Sequence, residues 1–135
     1  MSDTKQEQDK TPGIFSWNEY VAQDTEAAGK FYTELFGWAA EEMEMGDMKY
    51  TSFKAGERPI GGMLALPAEM KDQVPSHWLS YVTVEDVNAS LEKAQALGAK
   101  VCKEVTELPF GKFAIIIDPL GAVVALWEFG EDCAG

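Results

Sequence analysis

The spacing of apolar and polar positions along this chain switches between a period of two and a period near 3.6. Residues 14–23 alternate, with Phe15, Trp17, Glu19 and Val21 on one face and Asn18, Tyr20 and Ala22 on the other, which predicts a strand. Asp24 is suited to cap a helix, and Glu26 in the first turn suits the helix dipole. Ala28, Phe31, Tyr32 and Leu35 then recur at helical spacing as one apolar stripe, and Gly37 ends the helix as a left-handed residue. Strands are expected at 38–45 and 48–54 around a turn at Gly46-Asp47, and at 60–66, which carries Gly61 and Gly62. Residues 67–76 have the polar, proline-bounded character of a linker.

The pattern then recurs. In 77–85, Leu79, Tyr81 and Thr83 alternate against Ser80, Val82 and Val84; Asp86 caps a helix striped by Val87, Leu91, Ala94 and Leu97; Gly98 ends it. Strands at 99–103, 110–117 and 122–129 follow. The last two flank Asp118-Pro119-Leu120-Gly121, where Pro119 presets the first corner, Gly121 supplies positive φ and Asp118 can fold onto the turn's own N–H groups. Superposing Asp24 on Asp86 aligns the two halves at an offset of about 62 residues. A unit of about 50 residues is marginal as an independent core. The expected fold is therefore α+β, two βαβββ modules forming a half-open, barrel-like sheet around a cleft. Its organisation would be a tail at 1–13, a first module at 14–67, a linker at 68–76 and a second module at 77–130.

Composition narrows the function. The chain has 135 residues, 23 acidic against 11 basic, for a net charge of −12. Nucleic acid is excluded as a partner, because its phosphates would be repelled. No apolar run is long enough to span a membrane, no signal-peptide pattern is visible, and a cytoplasmic location is expected. Cys102 and Cys133 are placed as reduced thiols, and no zinc-type spacing occurs.

Several residues together resemble a known family. Asp24-x-x-Ala27-Ala28-x-x-Phe31-Tyr32-x-x-Leu35-Phe36-Gly37-Trp38, Val84-x-Asp86-Val87, Leu97-Gly98-Ala99 and the Asp118-Pro119-x-Gly121 turn are similar to elements of the vicinal oxygen chelate superfamily. That superfamily includes glyoxalase I, bleomycin-resistance proteins, extradiol dioxygenases and methylmalonyl-CoA epimerase. The resemblance implies paired βαβββ modules and, in the enzymes, one divalent metal held by the first and last strands of each module. It also makes a homodimer an expected arrangement. Carried over by position, the metal-holding residues would be Trp17, Gly61 or Gly62, Leu79 and Ala125. None offers a side-chain donor to a cation. The neighbours Asn18, Trp78, Ser80, Val124 and Leu126 do not repair the set, so no metal and no cofactor are expected.

What remains for chemistry is Glu19, which shares a face with Trp17. A carboxylate walled by apolar groups would have its pKa raised and could serve as a base or hold a cation; equally it could pair with a Lys or Arg. His77 is the single histidine, and a lone His before a strand reads first as a capping or surface group. Tyr81 matches Glu19 under the repeat, and Trp127 shares the face of Ala125. With Trp78 and Met63, beside the glycine pair, these give the expected ligand-binding set Trp17, Glu19, Met63, His77, Trp78, Tyr81 and Trp127. Three readings stay open: a metal-free binder of an aromatic or cationic small molecule; an enzyme (lyase, isomerase or dioxygenase) with Glu19 as catalytic base or an atypical metal site; or a structural, partner-binding domain whose rings fill the cleft.

Overall fold

The computed structural model describes residues 9–45 and 48–130. The expected turn at Gly46-Asp47, the first eight residues of the expected tail, and Cys133 lie outside the described residues. The element order is β1 (Phe15–Ala22), α1 (Thr25–Phe36), β2 (Ala39–Met45), β3 (Met48–Ala55), β4 (Arg58–Ala65), β5 (His77–Thr83), α2 (Val87–Ala96), β6 (Lys100–Leu108), β7 (Gly111–Ile117) and β8 (Val123–Phe129). The class is α+β, and βαβββ occurs twice, as the repeat requires. By contact the chain divides into two compact units, one of residues 17–79 and one of residues up to 16 together with those from 80 onward, so that β5 crosses from one to the other.

In the first unit the strand order is β2-β3-β4-β1, antiparallel except for the parallel β4–β1 pair. Asp24 caps α1 through its carboxylate, which accepts from the Ala27 N–H at 3.0 Å, and Gly37 closes the helix at φ 74°. Ala22, Phe53 and Met63 form the core, with Tyr20, Ala28, Trp38 and Ile60 packed against it. The stripe of α1 covers this core only in part: no α1 residue is fully buried, and Phe31 and Phe36 remain 57% and 55% exposed. The cause is Tyr32, whose ring takes the centre of the stripe against Tyr20, Trp38 and Trp78, leaving the flanking rings outside. The segment after β4 contains a 3-10 turn, Ala68–Met70, and is tied to the end of β1. The Gln23 side-chain amide donates to the Lys71 and Val74 carbonyls at 2.6 Å each, and the Gln23 N–H donates to Ser76 Oγ at 2.9 Å.

In the second unit the order is β5-β8-β7-β6, again with one parallel pair, β5–β8. Val87, Leu91, Ala114, Ile116 and Leu126 pack α2 onto the sheet. Two carboxylates hold the start of α2: Asp86 accepts from the Ala89 N–H at 3.1 Å, and Glu128, reaching from β8, accepts from the Val87 N–H at 2.9 Å. The β7–β8 hairpin closes as the sequence predicts. Asp118 Oδ1 accepts from the Leu120 and Ala122 N–H groups at 2.9 Å each, and Gly121 stands at φ 101°. Strand β6 runs five residues past its expected end at Lys103, to Leu108, because register shifts between Val101 and Thr106 let the chain keep pairing with β7.

Candidate functional site

Strand alternation on β1 turns Trp17 and Glu19 to the face opposite the core side chains Ala22 and Met63. The pairing register then fixes their neighbours. Glu19 stands opposite Gly62 on β4, and Gly62 opposite Ser52 on β3, so the three form one cross-strand row. Tyr50, two residues before Ser52, shares that face. Its ring reaches over Gly62, where a β-carbon would collide with the phenol oxygen and Cζ.

Three polar groups are linked on this face. The indole Nε1–H of Trp17 donates to the Tyr50 hydroxyl at 2.8 Å, and the Tyr50 hydroxyl is hydrogen-bonded in turn to the Glu19 carboxylate. Glu19 is 7% exposed, which is deep for a carboxylate, and Ser52 beside it is also buried. Burial, and secondly the negative charge of Glu19, push the Tyr50 phenol well above the ordinary tyrosine value; the Trp17 hydrogen bond acts the other way. Tyr50 is therefore a neutral donor throughout the physiological range.

The remaining expected site residues fall elsewhere. Met63 is 3% exposed and pairs with Tyr20 and Thr51, one position out of phase with the Glu19 row, so it belongs to the core under α1. Trp78 donates to the Tyr32 hydroxyl at 3.2 Å and sits with Tyr20, Tyr32 and Trp38. His77 is half-buried and its Nδ1 lies 2.9 Å from the Pro75 carbonyl oxygen, a local contact. In the second unit Tyr81 is buried, stands opposite Ala125 and meets Trp127 edge-on at 6.4 Å between centroids. The Trp127 indole lies over Gly111, much as Tyr50 lies over Gly62. The pairing Tyr81↔Ala125 thus reproduces Glu19↔Gly62. That places the last-strand position of the first module on Gly62 rather than Gly61.

Tyr50 is the site residue that sequence reasoning missed. The available signal was Gly62: a glycine inside a strand often marks a close approach by another group.

A divalent ion does not fit the positions that the family would use. Trp17 Nε1 carries a proton already given to Tyr50, the Tyr50 ring fills the space beside Gly62, and Leu79 and Ala125 are buried hydrocarbon. Among the described residues no three His, Cys, Asp or Glu side chains gather. A hollow of about 320 Å³ in the second unit, lined by Pro12, Gly13, Thr83, Asp86 and Ser90 among others, contains none of the expected site residues. The α2 amides of Val87 and Ala89 nearby are already occupied by Glu128 and Asp86.

Residues 14–126 match the family model of the Glyoxalase/Bleomycin resistance protein/Dioxygenase superfamily. A Mycobacterium tuberculosis protein named as a glyoxylase, CFP32, is 34% identical over 116 residues, which are 84% of this chain and 43% of that protein. The anthracycline biosynthesis protein DnrV of Streptomyces peucetius is 28% identical over 137 residues, 88% of this chain and 48% of that protein. The chain thus spans less than half the length of these relatives. Among solved structures, methylmalonyl-CoA epimerase from Mycobacterium tuberculosis superposes with a TM-score of 0.64 at 14% identity, covering 97% of this chain and 98% of its own. A Bacillus halodurans protein, BH1468, gives 0.65 at 12% identity, covering 90% and 97%. At these identities the structural likeness concerns the fold alone.

Proposed function

The chain belongs to the Glyoxalase/Bleomycin resistance protein/Dioxygenase superfamily, and we propose that it is a member that binds a small molecule without a metal ion. The ligand would be flat and aromatic or cationic, held on the face that carries Trp17, Tyr50 and Glu19. The supporting observation is the linked set itself. A buried carboxylate, a neutral phenol and an indole are linked on one face, at and beside the Trp17 and Gly62 positions where the family's ion-binding donors would stand. Indole and phenol rings offer stacking and cation–π contact, and the carboxylate supplies orientation and charge. His77 makes a local contact with Pro75 and is not assigned to the ligand.

The test is a tryptophan-fluorescence titration against a panel of small aromatics and cations. An anthracycline belongs in it because two relatives are named for anthracycline biosynthesis. Saturable quenching that is weakened by Glu19→Gln supports the reading; a flat response across the panel refutes it. Metal analysis of the purified protein is the second arm, and a tightly held equivalent of Zn, Ni, Mn or Fe would return the chain to the metal-dependent enzymes. One observation favours the filled, structural reading instead: Trp127 and Tyr50 are both seated over glycines in their own units. A flat response in the titration would select that reading.

A homodimer and a cytoplasmic location are part of the same proposal. Phe31, Leu35 and Phe36 give the first unit an exposed apolar face suited to a second copy, which light scattering on a sizing column tests. Cys102 is exposed and unpaired, as suits a reducing compartment. No helix among the described residues is long and apolar enough to cross a membrane.

A further inference from the structure

We propose that two copies of the chain meet through α1, antiparallel across a two-fold axis at Phe31, so that Ala27 of each copy faces Leu35 of the other. This rests on the homodimer proposed above, gives it a contact surface, and is independent of any ligand.

The helix carries two apolar ridges where the fold uses one. Ala28, Tyr32 and Phe36 follow one another at intervals of four, and the first two turn inward. Ala28 packs on the core of Ala22, Phe53 and Met63, and Tyr32 on Tyr20 and Trp38. Ala27, Phe31 and Leu35 form the neighbouring ridge, and all three are exposed. The exposed rings of Phe36 and Trp78 extend it, since Phe31, Phe36 and Trp78 all touch the ring of Tyr32. The result is one continuous apolar patch, not scattered single side chains.

The repeat supplies an internal control. At the offset that sets Asp24 on Asp86, Phe31 falls on Lys93, which is exposed on α2. The fold therefore accepts a charged residue at the middle of this helix, and folding alone gives no reason for a phenylalanine. Burial against something outside the chain does.

The ridge itself points to a second copy as that cover. Phe31 lies at the middle of Thr25–Phe36, with small Ala27 one turn before it and larger Leu35 one turn after. An isologous contact makes each pairing twice. A two-fold axis at Phe31 thus sets large against small on both sides of the centre. Charge agrees: the chain carries −12, and an uncharged ridge is where two such acidic surfaces approach with least repulsion. Size agrees too. More than half of CFP32 and of DnrV lies outside the part that matches this chain, so each has a further stretch at least as long as the match. Here a second copy supplies polypeptide of that size.

The experiment is sedimentation of the full chain over a concentration series, where the wild type should show a monomer–dimer equilibrium. Phe31→Lys, which copies the residue of α2, should weaken dimerisation about thirtyfold or more. Ala27→Leu and Leu35→Ala should each weaken it about tenfold, the first by overfilling the contact and the second by leaving a gap. Together they exchange small and large across the axis, and the double variant should return to within about threefold of the wild type. A role confined to one chain would not give that rescue. Should Phe31→Lys fail to fold, as circular dichroism would show, the exchange pair decides alone. A wild type that stays monomeric at every concentration overturns both this contact and the homodimer. A dimer left intact by Phe31→Lys, or an exchange that restores nothing, overturns the α1 contact while the homodimer stands on another face.

Discussion

The hydroxyl of Tyr50 occupies the space in which a β-carbon of Gly62 would lie. Adding that carbon should therefore act at a distance from itself. Gly62→Ala is expected to drive the ring off β4, break the Trp17–Tyr50 hydrogen bond and cost about 1–3 kcal/mol, the usual range for overpacking a fitted position. Denaturant melts would show the loss, and a shift in tryptophan emission would show the broken bond. Adding Gly62→Ala to a Tyr50→Ala background should cost much less than in the wild type, since nothing remains to collide with. Costs that simply add would mean that the two residues are not coupled.

The same phenol predicts an alkaline signature. Burial and the Glu19 charge raise the Tyr50 pKa above that of the unfolded chain, where a tyrosine titrates near 10. Above that pH the unfolded state loses a proton which the folded state keeps, so the stability contributed by neutral Tyr50 is full below pH 10 and declines as pH rises. The slope from this one group is at most about 1.4 kcal/mol per pH unit. Absorbance at 295 nm should show one tyrosine that does not ionise with the others before unfolding. Tyr50→Phe should flatten the decline above pH 10; an unchanged slope would mean that some other group causes it.

How far the chain could be read in advance is clearest from these residues. The β7–β8 hairpin was legible because its signal is local: Asp118, Pro119 and Gly121 each fix a corner within four residues. The repeat was legible because two caps and two stop-glycines recur at one offset. Alternation alone placed Trp17 and Glu19 on a common face. What could not be read was register. Whether Tyr50 meets Gly62 depends on how β3 slides against β4, and a shift of one residue would turn Tyr50 to the helix side. Met63 was drawn toward the site by its nearness to Gly62 in sequence, although adjacent residues on a strand face opposite ways. The apolar stripe of α1 was legible as a stripe, but its exposure was not, because periodicity shows which face is apolar and not how much of it is covered.

Glu128 gives α2 a second anchor that no local motif reveals. Asp86 caps the helix from within its own turn, while Glu128 reaches the Val87 N–H from β8, 41 positions later. Glu128→Ala should lower stability by about 1–2 kcal/mol, comparable with Asp86→Ala, because each leaves one amide of the first turn without its carboxylate. Hydrogen exchange separates the two effects from general weakening. Faster exchange confined to Val87 in Glu128→Ala, and to Ala89 in Asp86→Ala, is the expected pattern. Uniform acceleration across α2 in both variants would instead mean that the helix responds as one unit.

The donor chemistry of the positions that the family would use also sets an expectation for metals. An ion bound by the native state at a hundred times its Kd stabilises it by about 2.7 kcal/mol, which would raise the Tm of a protein this size by several degrees. With an indole N–H at Trp17, a phenol ring over Gly62 and hydrocarbon at Leu79 and Ala125, no such gain is available from those positions. Thermal melts with Mn, Ni or Zn, and with a chelator, should superpose within about one degree. Glu19→Gln should leave that result unchanged, which separates it from a weak surface effect of the net negative charge. A chelator-reversible rise in Tm that disappears in Glu19→Gln would show that this carboxylate holds an ion after all, and the metal-free reading of the Trp17–Tyr50–Glu19 site would have to be abandoned.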